Sequence, residues 1–341
     1  MARLTQAIKN LTRLTSLSTR VLADFPFLAT ALVQRPPTYT VPAFVKLGVA
    51  GYFGGGVHGA GQSSAIDKIT FPADTKTTLS ATLTTGRNSL RGMANSSVAG
   101  YFGGGINGAL TSSIDKITFP ADTKTTLSAT LTTPIRLLGA MANSGVAGYF
   151  GGGLDGSSVV VSGIDKITFP ADTKTTLSTG LADARYILAG MANSGVAGYF
   201  GGGNDSTFST KFSSIDKITF PADTRTTLSA TLTSARSDLA AMANSGVAGY
   251  FGGGNDSTNL SGIDKITFPA DTKTTLSATL TAVRQSLAGM ANSGVAGYFG
   301  GGNPATNIID KITFSADTKT TLSATLSFSV ESPAGMADGG V

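Results

Sequence analysis

Side chains able to do covalent or metal chemistry are scarce in this chain. His58 is its only histidine, and cysteine is absent from all 341 residues. A zinc site or a Ser-His-Asp set has little to build on from one loop imidazole, and disulfides and thiol catalysis are excluded outright. Carboxylates do recur: Asp67, Asp115, Asp165, Asp216, Asp264 and Asp310 each follow the isoleucine of the same IDKIT string. General acid–base work needs two groups converging on one substrate, whereas copies of one position in a repeat stand apart. These six are expected to satisfy backbone groups or to pair between repeats. The glycine triplets of GYFGGG precede neither a lysine nor a helix start, which a phosphate cradle requires. A strand end that packs closely, or turns through positive φ, is the expectation there. Asp205 and Asp256, in GGGNDST, offer too few convergent oxygens for calcium. The chain is therefore read as non-enzymatic, with no catalytic residue, no metal and no cofactor.

What positions these residues is a repeat. GYFGGG returns with its tyrosine at Tyr52, Tyr101, Tyr149, Tyr199, Tyr250 and Tyr298, at spacings of 49, 48, 50, 51 and 48 residues. Between the last glycine and the next isoleucine of IDKIT the linker is 9, 8, 10, 11 and 8 residues in the first five copies, so 40 positions remain every time. One loop takes all the length variation. Self-similarity near this period marks a propeller or a solenoid.

Each unit reads as four strands. Strand a is Arg91–Asn95, closed by an Asn-Ser turn, and strand b is VAGYF (98–102), ended by glycines. Strand c is IDKITF (114–119), with Ile117 and Phe119 on one face. Strand d is TTLSATL (125–131), where Leu127, Ala129 and Leu131 alternate with Thr126, Ser128 and Thr130 in strict period two. The first copy enters at strand b, and the final AGMADGGV is a strand a with nothing after it. Residues 335–341 are thus expected to complete the first unit and close a ring, removing the free edges that an open solenoid would expose.

Before the repeats lie 45 residues of another kind. Leu4, Ile8, Leu11, Leu14, Leu17 and Val21 fall three and four apart, which predicts a helix; RPPTYTVP (35–42) then reads as a stiff extended linker. The arm holds Arg3, Lys9, Arg13, Arg20 and Arg35 against Asp24, so it carries +4 of the formal net charge of +5. The basic pI of 9.3 therefore does not make the repeat body a nucleic-acid surface. A transit peptide, a membrane-surface helix and a docking or self-associating helix all fit the pattern, docking best. No apolar run is long enough to span a membrane.

The unit resembles a kelch-type repeat: YFGGG, a variable loop, IDKITFPADT, TTLSATLT, then Arg87, Arg185, Arg236 and Arg284 follow that family's order over residues 47–341. The family's usual tryptophan is absent, with Leu79 and its equivalents in its place. Arg136 is displaced by one residue, and Val330 replaces the arginine in the sixth copy. The more specific wording GYFGGG…IDKITFPADT…LSATLT is similar to repeat regions of tail-fibre-like and other virion structural proteins of tailed bacteriophages, especially those infecting aquatic bacteria. The repeat pattern and the resemblance over residues 47–341 together imply an all-β, six-bladed β-propeller of four-stranded kelch-like blades closed by the C-terminal strand (46–341), while the short N-terminal helical docking arm (1–45) rests on its apolar spacing alone. The resemblances imply a virion setting, on tail or capsid exterior.

In such a blade the a–b and c–d turns share one face, and the b–c loops and d–a connections share the other. The first pair is nearly unvarying between copies and the second pair is not. Either recognition or drift in unconstrained loops explains the variety. Recognition by a host-surface glycan or protein would draw on His58, Asn107, Asp155, Tyr186, Asn204, Asp205, Phe208, Lys211, Asn255, Asp256 and Asn259. Three functions follow: a tail-associated or fibre-like receptor-binding protein, a capsid decoration protein, or a cellular kelch-like scaffold. Expected partners are other virion proteins through residues 1–45 and further copies of the chain in the assembly, with no nucleic acid.

Overall fold

A computed structural model of the chain describes residues 50–207 and 209–338. The expected N-terminal helix, with Leu4 to Val21, lies outside the described residues, as do Phe208 and residues 339–341. Six four-stranded antiparallel sheets form a six-bladed β-propeller, and no helix occurs among the described residues. In blade 2, strand a is Arg91–Asn95, b is Ala99–Gly103, c is Ile114–Thr118 and d is Thr123–Thr126. The register sets Met93 opposite Tyr101, Tyr101 opposite Lys116 and Ile117 opposite Lys124. Blades 3 to 6 repeat this order.

Blade 1 is assembled from both ends of the propeller. Its strand b, Ala50–Gly54, pairs on one side with Ile66–Thr70 and on the other with Ala334–Ala337. Met336 stands opposite Tyr52 and Gly335 opposite Phe53, so the expected closure is present. Strand b is buried along its whole length in every blade, while strand d is mostly exposed. Burial thus falls from the axis to the rim, because the inner strands are covered on both faces by neighbouring blades.

One element differs from the expectation. The ladder of strand d spans Thr123–Thr126 and ends before LSATL, the segment with the cleanest alternation. Strand c begins at Ile114, so beyond Leu127, whose amide donates to Ile114 O at 2.9 Å, no partner strand continues. The alternation survives as packing instead. Leu131 is buried against Met93 and Tyr101 of the same blade and Phe150 of the next, while Ser128 and Thr130 face solvent.

The blades interlock through one recurring set of contacts. Tyr101 stacks on Phe169 of blade 3 at 5.1 Å, and five further Tyr–Phe pairs do the same around the ring. Stacked pairs contribute about 1 kcal/mol each beyond their buried area. Met93 enters the space at Gly148, where a Cβ would lie 2.2 Å from its sulfur. At the rim, the Tyr101 hydroxyl donates to Asp172 Oδ1 at 2.8 Å and Lys116 Nζ lies 2.6 Å from Asp172 Oδ2. Tyr298 and Lys311 repeat this with Asp74 across the junction that closes the ring. Burial, and then the aspartate, push each tyrosine phenol far above its ordinary pKa, so these hydroxyls stay donors.

Candidate functional site

The b–c loops and d–a connections meet in antiparallel bridges at one end of the propeller. Asn88 pairs with Ile106, Ile135 with Asp155, Tyr186 with Asn204, Ser237 with Asn255, Gln285 with Asn303 and Val57 with Glu331. All the segments that vary in sequence therefore share that end. Turns at the opposite end tie blade to blade. Asn95 Oδ1 accepts the Gly145 amide at 2.8 Å, Ser144 Oγ accepts the Ser96 amide at 2.9 Å, and the same bonds recur from blade 3 to blade 6. The constancy of these turns thus has a packing cause.

The six repeated aspartates are structural anchors. Asp115 Oδ2 accepts the Thr84 amide at 3.0 Å, and Oδ1 accepts the Thr84 and Thr126 hydroxyls at 2.6 and 2.8 Å. Each of the other five likewise takes a backbone amide from the preceding d–a connection. Arg87 adds its guanidinium at 3.2 Å. Burial pushes the Asp115 carboxyl up, but Thr84, Arg87 and Thr126 together outweigh it and hold the group below the usual carboxylate range.

The loop residues fall into three groups. Tyr186 and Asn204 are each only 7 % exposed. Tyr186 belongs to a small core with Leu154, Val160 and Ile187, and its hydroxyl accepts from Asn204 Nδ2 at 3.4 Å. Asp155, Asp205 and Asp256 cap their own loops: Asp155 Oδ1 takes the Ser157 and Val159 amides at 2.9 Å, Asp205 Oδ1 takes Thr207 and Thr210, and Asp256 Oδ1 takes Ser257 and Thr258. Lys211, Asn255 and Asn259 form a lateral belt. Lys211 Nζ donates to Asn255 Oδ1, Asn255 Nδ2 to Asn259 Oδ1 at 3.0 Å, and Asn259 Nδ2 to Asn303 O at 3.0 Å, joining blades 4, 5 and 6. His58 stacks on Phe328 at 4.4 Å, and Asn107 is exposed on its own small hairpin. Phe208 lies outside the described residues.

Two features were not legible as residue types. On the loop face, Ser89, Leu137, Ile187, Asp238, Ser286 and Ser332 all adopt positive φ between 51° and 59°. Each amide donates to the carbonyl of the neighbouring blade's equivalent, from 2.7 to 3.3 Å, closing a six-membered ring of backbone hydrogen bonds. Inside it, strands a line an axial cavity of about 60 Å³, room for a few ordered waters. Arg91 and Asp238 are charges that the equivalent positions of other blades lack. Burial pushes the Asp238 carboxyl up, against Ser286, Arg91, Ser237 and Lys211. On the constant face, Val98, Val146, Val196, Val247 and Val295 are 39–52 % exposed, an apolar circle at the a–b turns.

Among the described residues no group of three or more His, Asp or Glu side chains is arranged to hold a metal. Nor is there among them any helix long and apolar enough to cross a membrane. Fold and loop geometry define a closed six-bladed β-propeller with one diversified face. No protein-family model matches the chain, and no curated protein matches it.

Proposed function

We propose that this chain is a non-enzymatic virion protein, tail-associated or fibre-like, that displays a propeller whose loop face binds a host-surface glycan or protein. One observation carries the reading: the b–c loops and d–a connections, where the copies differ most, lie together at one end of a disc whose other end is nearly constant. Loops on a rigid scaffold are where recognition is concentrated. Strand b of blade 1 starts at Ala50 on the constant end, beside Asp338. The circle of exposed valines on the constant end suits a dry contact with the assembly. The kelch-like and phage-like wording of the repeats supports the same setting, as a resemblance of sequence.

A purely structural decoration role is the second reading, and the Lys211–Asn255–Asn259 belt favours it, because those polar groups already satisfy one another. The test is exchange of residues 204–214 for residues 255–262, followed by binding of the purified propeller to intact host cells and a glycan array. Receptor recognition predicts lost or redirected binding in a variant whose melting temperature is unchanged. Unaltered adsorption after the exchange refutes it.

A further inference from the structure

The six junctions between blades hold one seat each for a side chain from the d–a connection, and the backbone identifies it. The third glycine of each triplet donates its amide to the seat residue's carbonyl: Gly56 to Arg87, Gly105 to Ile135, Gly153 to Arg185, Gly203 to Arg236, Gly254 to Arg284 and Gly302 to Val330, all at 2.8–3.0 Å. Four seats therefore hold arginine, one isoleucine and one valine. Arg136, next in sequence to Ile135, pairs instead with Leu154 of the adjoining loop.

In the four arginine junctions the guanidinium lies 2.5–3.2 Å from Oδ2 of the following blade's aspartate. In all four it also donates to the carbonyl of the strand-b phenylalanine, as Arg284 Nη2 does to Phe299 O at 3.2 Å, and in two of them to the carbonyl of the glycine two residues on, from Arg185 to Gly202 O at 3.3 Å and from Arg284 to Gly301 O at 3.1 Å. The matching groups at the Ile135 junction are Asp165, Phe150 and Gly152. All three line an unfilled cavity of about 190 Å³ whose remaining walls include Leu131, Ile135 and Val161. Thr132, Gly163 and Thr176 at its edge are exposed, so the cavity opens to solvent.

The anchor for a cation persists there. Asp165 Oδ1 is taken by Thr132, Thr176 and Lys174, as the equivalent oxygens of Asp115, Asp264 and Asp310 are taken by two threonines and a lysine. Its Oδ2 accepts only the Thr132 amide, at 2.7 Å, where the four sister oxygens accept an amide and a guanidinium. An acceptor with spare capacity in an apolar-walled cavity favours a cationic donor over water. The Val330 junction offers no such space, because Phe328, Val330 and Pro333 reduce it to about 20 Å³.

We infer that the cavity at the junction of blades 2 and 3 binds an alkylguanidinium group, seated on Asp165 Oδ2 and the carbonyls of Phe150 and Gly152 as Arg185 and Arg284 are seated at their own junctions. The guanidinium comes either from a small free ligand or from an exposed arginine of a partner protein. This inference stands on the junction geometry and is independent of the host-recognition reading. The test is calorimetric titration of the full chain with ethylguanidinium, with neutral ethylurea as the shape control, and with an acetylated, amidated arginine that mimics a protein side chain. One saturable site of millimolar order is expected for the guanidinium compounds and none for ethylurea. Preference for ethylguanidinium assigns the free ligand, and preference for the blocked arginine assigns the protein source. Ile135→Arg, which installs the sister residue, and Asp165→Asn are each expected to weaken binding at least tenfold. Should Asp165→Asn fold poorly, Ile135→Arg decides alone. Equal affinity in Ile135→Arg, equal binding of ethylurea, or no saturation overturns the inference.

Discussion

Replacing Asp338 by asparagine is expected to strengthen ring closure at neutral pH and to leave it unchanged in acid. Asp338 occupies the position held by Asn95, Asn143, Asn193, Asn244 and Asn292 in the other blades, and it is 6 % exposed. It joins the two ends of the propeller: its Oδ1 accepts the Ala50 amide, its own amide donates to Ala50 O at 2.8 Å, and its carbonyl accepts from Ser97 at 2.6 Å. Burial is the largest influence on the carboxyl and, with the charge of Asp122, outweighs the Ala50 hydrogen bond and Lys68, so the pKa rises to about 6 from 3.8. In the unfolded chain the group ionises first, so between those values unfolding releases a proton and stability falls as pH rises. Above pH 6 the full penalty applies, roughly two pKa units or about 3 kcal/mol. Asparagine keeps an acceptor for Ala50 and never ionises. Differential scanning calorimetry of both proteins from pH 4 to pH 8 is then expected to show a gain of about 5 °C at pH 8, given the unfolding entropy of a domain this size, shrinking to nothing near pH 4. A gain that is the same at both ends of the range, or a loss at pH 8, refutes the reasoning.

Gly190→Ala would place a methyl 2.4 Å from the carbonyl oxygen of Ala140 on the neighbouring strand a. Because a backbone atom is in the way, a loss of about 1–3 kcal/mol in urea unfolding is expected. Tyr149→Phe removes the hydroxyl that donates to Asp223 at 2.8 Å. It is expected to cost about 1 kcal/mol, and a double-mutant cycle with Lys166→Met, which removes the other partner of Asp223, should show that the two are coupled.

The amino-acid sequence by itself determined the blade count, the four-strand plan, the location of the variable loop and the closing role of the last strand. Each follows from a repeat whose copies can bury their faces only against one another, together with an unpaired strand b at one end and a spare strand a at the other. Local pattern was less reliable where it met a neighbour. LSATL alternates as a strand does, yet strand c offers it no partner past Ile114, so packing alone keeps the alternation. Tyr186 and Asn204 look like recognition residues and are buried, because a d–a connection folds over the next loop. The axial ring of positive-φ residues was hidden, since Ser89, Leu137, Ile187 and Asp238 share a backbone conformation and no side-chain type. The displacement of Arg136 was legible as a one-residue shift. That it leaves Asp165 facing an unfilled cavity was decided only in three dimensions, where the backbone fixes which side chain takes the seat and the neighbouring blade supplies the carboxylate.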